Sequence, residues 1–178
     1  RYVFSPGYSE ATQRFRQAAA TMDPHAVAAF CQRWPWQCDG MLQMAELRRT
    51  MGGVDEAAKL VRRCLYTLEC AWHSQFRPWE APCRLPWSVA ANRALHTALF
   101  RHAQLVSRAG CTRAAFEAAK LLLQLDPAAD PTRVLLCIAF LALRAGDAAF
   151  VLSLTASRFD DDAGGLDVTV LPSLAFAR

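Results

Sequence analysis

The stretch RHAQLVSRAGCTRAAFEAAKLLLQLDPAADP, residues 101–131, constrains this chain more than any other. It reads helix, Gly110, helix, then Asp126-Pro127, a stop followed by a fresh start. Two amphipathic helices joined at a glycine bury their apolar faces against each other and against the next pair. The expected fold is therefore all-α: tetratricopeptide-like stacked helical hairpins, an α-solenoid. Its product is a surface for holding something.

Three glycines set the rhythm. Gly52, Gly110 and Gly146 each stand between two helical patterns, and the last two are 36 residues apart. That is close to the tetratricopeptide period of ~34 residues. Around Gly110, small Ala103 and Ala115 fall where the helices should cross, and Pro127 closes the unit. Ala45 and Ala57 take the same places around Gly52. The interval from Gly52 to Gly110 is longer, and a Trp-rich insertion accounts for the excess.

Helices are expected at about Ser9–Met22, from Pro24 to before Pro35, at Cys38–Thr50, and from Val54 to about His73. Asp23 caps the second, with Pro24 at its first position. Further helices are expected at about 89–108, 112–125, 132–145 and 147–156. Residues 74–88 hold three prolines and two tryptophans, too dense for a helix, and read as an insertion loop docked through Trp79 and Trp87. The helical repeat domain is placed at 1–158. A flexible acidic, glycine-containing segment and an extended tail follow at 159–178.

With 53% apolar and 20% charged residues the chain can build a core. Its longest apolar run, Val134–Leu143, is far short of the ~20 residues of a membrane span and reads as a buried helix. No membrane association is expected. The chain opens on Arg1 without an initiator Met, which reads as a piece of a longer protein. Seven cysteines stand singly, with Cys64, Cys70, Cys111 and Cys137 in helical patterns as small apolar residues, a distribution that suits a reducing compartment. Of the twenty basic residues only Lys59 and Lys120 are lysines. That is either compositional habit or a surface of arginine forks for phosphates and carboxylates.

No phosphate loop, carboxylate pair or nucleophile elbow is present in the sequence, so no catalytic, cofactor-binding or metal residue is assigned. The nearest approach to zinc ligands is Cys64, Cys70, His73 and Cys83, but Cys64 belongs to a different helical face from the next two. His102 falls among Leu99, Leu105 and Val106 and reads as half-buried. Arg48, Arg49, Arg62 and Arg63 come from two neighbouring helices. They are the candidate partner-binding residues, facing either RNA or an acidic protein, with a solvated ridge as the plain alternative.

Several strings occur in a telling order: LYTLECAWH (65–73), CRL (83–85), NRAL (92–95), ALFRH (98–102), RAGCTRAA (108–115), KLLLQLDPAADP (120–131) and LALRA (141–145). With DPHAVAAFCQRWPW (23–36) and LPSLAFA (171–177), the chain resembles the transcription factor 25 family, also called nuclear localized protein 1. It departs from that family's pattern at Trp36-Gln37-Cys38, where a His is usual, and in the acidic insert at 160–165.

The resemblance implies a non-catalytic adaptor of the ribosome-associated quality control complex, acting on stalled 60S ribosomal subunits. Implied partners are a Listerin-type RING ubiquitin ligase, ubiquitin and the Cdc48/p97 unfoldase, with ribosomal RNA as a further contact. The implied roles are choice of ubiquitin linkage and extraction of the nascent chain. The implied location is the cytoplasm, with the nucleus as a second site. The rival reading is a nuclear transcriptional repressor that uses the same helical surface on other partners. A metal- or thiol-dependent enzyme is the third.

Overall fold

The computed structural model describes residues 1–79 and 83–159, and side-chain surroundings as far as Leu154. Among these residues there are eight α-helices and no strand: α1 (Pro6–Ala20), α2 (Pro24–Arg33), α3 (Cys38–Thr50), α4 (Val54–Cys70), α5 (Arg93–Arg108), α6 (Thr112–Leu125), α7 (Leu135–Arg144) and α8 (Ala148–Phe159). A 3₁₀ turn, Ala90–Asn92, leads into α5. The chain is all-α, as its periodicity requires. No helix among the described residues is long and apolar enough to cross a membrane. The acidic segment and tail expected after residue 159 lie outside the described residues.

Each helix packs on its neighbours in the chain, most extensively within α3–α4 and α5–α6, and α3 also touches α5. The same turn closes three successive pairs. Gly52, Gly110 and Gly146 have φ of +88°, +86° and +79°, the left-handed region where a Cβ is penalised. The next residue's N–H returns to a carbonyl five positions back: Gly53 to Arg48 (2.8 Å), Cys111 to Val106 (2.9 Å) and Asp147 to Ala142 (2.9 Å). This is the double-bonded glycine stop of a helix, made three times over.

Small residues flank each turn at equal offsets. Ala45 and Ala57, Ala103 and Ala115, then Ala139 and Val151 are all buried, with Ala115, Ala139 and Val151 wholly so. The core continues through Leu95, Phe116, Leu125 and Ile138, each at most 1% exposed. Because Ala115 is wholly buried, Ala115→Leu should overpack the α5–α6 crossing and cost about 1–3 kcal/mol. A thermal melt that did not move would place the crossing elsewhere.

Helix ends differ from expectation where side chains intervene. α1 begins earlier, because Ser5 accepts from Tyr8 N (3.2 Å) and Pro6 follows it. α4 ends at Cys70 and not near His73, and the Trp72 indole N–H donates to the Tyr2 hydroxyl (2.5 Å). α5 starts late because the buried Asn92 amide is engaged by the preceding loop and the N-terminus, donating to Pro86 O (2.9 Å) and accepting from Tyr2 N (3.1 Å). α7 starts at Leu135, since the Asp130 carboxylate accepts from Val134 N (2.9 Å) and Leu135 N (3.0 Å).

The described residues between α4 and α5 that precede the 3₁₀ turn contain no helix. Trp87 is half-buried there, edge-on to His96 at 5.7 Å with the Arg93 guanidinium 5.4 Å over its ring. Its backbone N–H donates to Asp126 (2.9 Å). The docked role expected for Trp79 fails: it is 70% exposed, its ring 6.1 Å from that of Trp72. Pro78 is buried instead, its carbonyl accepting from Gln124 Nε2 (3.0 Å).

Candidate functional site

Helices α3, α5 and α7 lie on the same side of the three pairs and frame a groove of about 490 Å³. Each contributes a stripe at helical spacing: Leu42, Ala45, Glu46 and Arg49 from α3, then Arg101, Gln104, Leu105 and Arg108 from α5. Val134, Cys137, Phe140 and Leu141 close it from the α7 side. The lining is mostly apolar. Phe140 is 54% exposed although it is a large aromatic side chain.

Charge is distributed unequally. Three arginines line the groove against one carboxylate, Glu46. Arg49 grips that carboxylate through Nε (3.2 Å) and Nη2 (2.5 Å), a two-point fork across one helical turn. Arg101 reaches it from α5 at 3.2 Å and also donates through Nη1 to Gln104 Oε1 at 3.2 Å. The bond from Arg49, with Arg101 adding attraction, holds the Glu46 carboxyl below its ordinary range. A fourth arginine, Arg144, donates to Ser107 Oγ (3.4 Å) and lies 5.5 Å from the Phe140 ring centroid. Arg108 is exposed and makes no ion pair among those described.

The four arginines singled out by sequence do not all share this groove. Arg49 lines it, paired with Glu46. Arg48 is exposed and, at about 100° per residue, projects off the Leu42–Glu46–Arg49 stripe. Arg62 and Arg63 are exposed on α4, nine or more residues beyond Gly53, so roughly 13 Å along the helix from that turn. Arg62 acts on α5 from another side: burial, and then its positive charge, push the half-buried His102 below its ordinary range.

The cysteine and histidine candidates are also separated. Cys64 is buried against Cys38, its Sγ 3.8 Å from the Cys38 carbonyl, whereas Cys70 and His73 are exposed and Cys83 is intermediate. Cys70 and Cys111 were expected inside helix packing and are instead exposed, one in the last turn of α4 and the other capping α6 after Gly110. Among the described residues no three His, Cys, Asp or Glu side chains converge as ligands.

Sequence reasoning passed over Glu46, Arg101, Arg108 and Phe140. A signal existed on α5, where Arg101, Gln104 and Arg108 recur on one stripe. Its partners on α3 and α7 are distant in sequence, so no local pattern joins them.

Comparison with known proteins gives consistent relatives. Residues 1–178 match the family described as Transcriptional repressor TCF25. The chain is 33% identical over 176 residues to the human protein named Ribosome quality control complex subunit TCF25, covering 99% of this chain and 25% of that protein. It is 32% identical over 148 residues to Ribosome quality control complex subunit 1 of Schizosaccharomyces pombe, covering 83% and 22%. Probable transcription factor claV of Ampulloclitocybe clavipes is 34% identical over 174 residues, covering 96% and 22%. The chain thus spans about a quarter of the length of these curated relatives. No solved structure matches it.

Proposed function

The chain belongs to the family described as Transcriptional repressor TCF25, and from that premise we propose that it is a non-catalytic adaptor of a ribosome quality control complex. The observation that carries this reading is the match over nearly the whole chain to relatives named as subunits of that complex. In this reading the three helix pairs with identical glycine turns are tetratricopeptide-like hairpins of one α-solenoid, reaching to about residue 158. The adaptor would assist ubiquitination, including choice of linkage, and extraction of stalled nascent chains on the 60S subunit. Its partners would be a Listerin-type RING ligase, ubiquitin and the Cdc48/p97 unfoldase, with ribosomal RNA as a further contact. It would work in the cytoplasm and also in the nucleus.

A second reading has its own support. One relative is named a probable transcription factor, and the family description is that of a repressor. Affinity purification from cells separates the two. Large-subunit proteins with a RING ligase are expected, and recovery of chromatin factors alone would overturn the adaptor reading.

Within that assay, Arg49→Glu together with Arg62→Glu should weaken recovery of the complex, more so at low salt where charge contacts are least screened. Arg62 is exposed, so its reversal should leave the melt nearly unmoved, whereas Arg49→Glu also sets a second carboxylate beside Glu46. Arg62→Glu alone is therefore the cleaner variant. Unchanged ubiquitin-chain formation on stalled ribosomes for both would leave these arginines a solvated ridge.

A further inference from the structure

We propose that the groove between α3, α5 and α7 is a docking site for a short acidic peptide of another protein, carrying an aliphatic or aromatic side chain between its carboxylates. This deepens the adaptor reading and rests on it, since it names what one face of the scaffold takes. Four observations carry it. The groove holds about 490 Å³, within the range of roughly 300–1,000 Å³ that accepts a few side chains. Its lining is mainly apolar, and Phe140 stands half out of it, as an anchor awaiting cover does.

The charge is the third observation. Arg49, Arg101 and Arg108 line the groove and Arg144 borders it beside Phe140, against the single carboxylate of Glu46. The fourth is the use already made of these forks. A guanidinium offers five N–H donors, and Glu46 with Gln104 occupies only part of the set on Arg49 and Arg101. Glu46 thus holds the forks in the orientation that receives a carboxylate, and it stands where an incoming one would compete. RNA is the less suitable occupant. Single-strand binders stack successive bases on aromatic platforms, and the two phenylalanines of this lining stand on different helices.

The test is fluorescence anisotropy with a labelled peptide in which Asp and Glu flank one Phe and one Leu. Saturable binding is expected, lost on exchanging Asp and Glu for Asn and Gln, and weakened about tenfold when Phe is replaced by Ser. Arg101→Glu with Arg108→Glu should weaken it by about a hundredfold. Should that variant fail to fold, Phe140→Ser and Arg108→Gln change exposed positions and should still weaken binding several-fold. Glu46→Gln should strengthen it, because the internal competitor is gone. A merely structural Glu46 would leave affinity unchanged or reduce it.

Three results would overturn the proposal. One is no binding, or binding that none of these variants alters. Another is preference for a labelled single-stranded RNA over the peptide. The third is a dimer in sedimentation that the same variants dissolve, or peptide binding that appears only after residues 160–178 are removed. These would assign the groove to a second copy or to the chain's own acidic segment. Recovery of the ribosomal complex by a groove variant that no longer binds peptide would leave the adaptor reading standing without the groove.

Discussion

Replacing Phe116 by Ala should remove about 3–5 kcal/mol of stability, a large part of the ~5–15 kcal/mol that a domain possesses. Phe116 is wholly buried in the second turn of α6, edge-on to Phe150 at 4.9 Å, with the Lys120 ammonium 4.7 Å from its ring centroid. The ring therefore joins the second helix pair to the third. Truncation leaves a cavity in the close-packed interior that the surroundings fill only in part. The melting temperature should fall on the order of 10 °C. Phe116→Leu should recover much of the loss, since it restores most of the volume. A loss below about 1 kcal/mol would mean that Phe116 does not bridge the pairs.

Asp130→Ala should cost about 2–4 kcal/mol, because two buried backbone donors lose their acceptors together. One carboxylate oxygen takes Val134 N and the other Leu135 N, so this side chain satisfies the two leading donors of α7, while Leu136 N and Cys137 N reach the carbonyls of Arg133 and Val134. Asp130 also sits at φ +34°, which Asp and Asn tolerate better than Ala. Asn keeps one acceptor and the backbone preference, so Asp130→Asn should cost about half as much. Urea unfolding of the Ala and Asn variants gives the comparison. Equal losses would show that the carboxylate does not serve both donors.

These two positions also mark how far the sequence could be read. α3 and α6 fall at their expected bounds, because each is framed by local signals: a glycine with positive φ at one turn, a cap or an Asp-Pro at the other end. The alanines at the crossings were legible for the same reason, since each lies at a fixed offset from its glycine. Asp130 was not. Its role depends on folding back over a turn in which both it and Arg133 take positive φ, and nothing in DPAADPTRV announces that. His96, buried with Nε2 2.7 Å from the Leu85 carbonyl, was hidden likewise, since its partner arrives from the insertion. The groove lay beyond reach for a different reason: α3, α5 and α7 each bury residues on more than one side, so amphipathic spacing marks the helices without saying which flank stays open.

The repeated glycine turns have a consequence for the search the chain must make. Pairing α3 with α4, α5 with α6 or α7 with α8 closes loops of only a few residues, which is fast and costs little chain entropy. Tyr2 is the opposite case. Its hydroxyl donates to Leu68 O (3.1 Å) and accepts from Trp72, and its backbone N–H meets Asn92, at separations of 66, 70 and 90 residues. By the logarithmic law of loop closure, joining ends 90 residues apart costs about 1 kcal/mol more than joining ends 30 apart. Chain entropy therefore weighs least on the pairs and most on this N-terminal latch, which gains its bonds only after α4 and the start of α5 already stand in place.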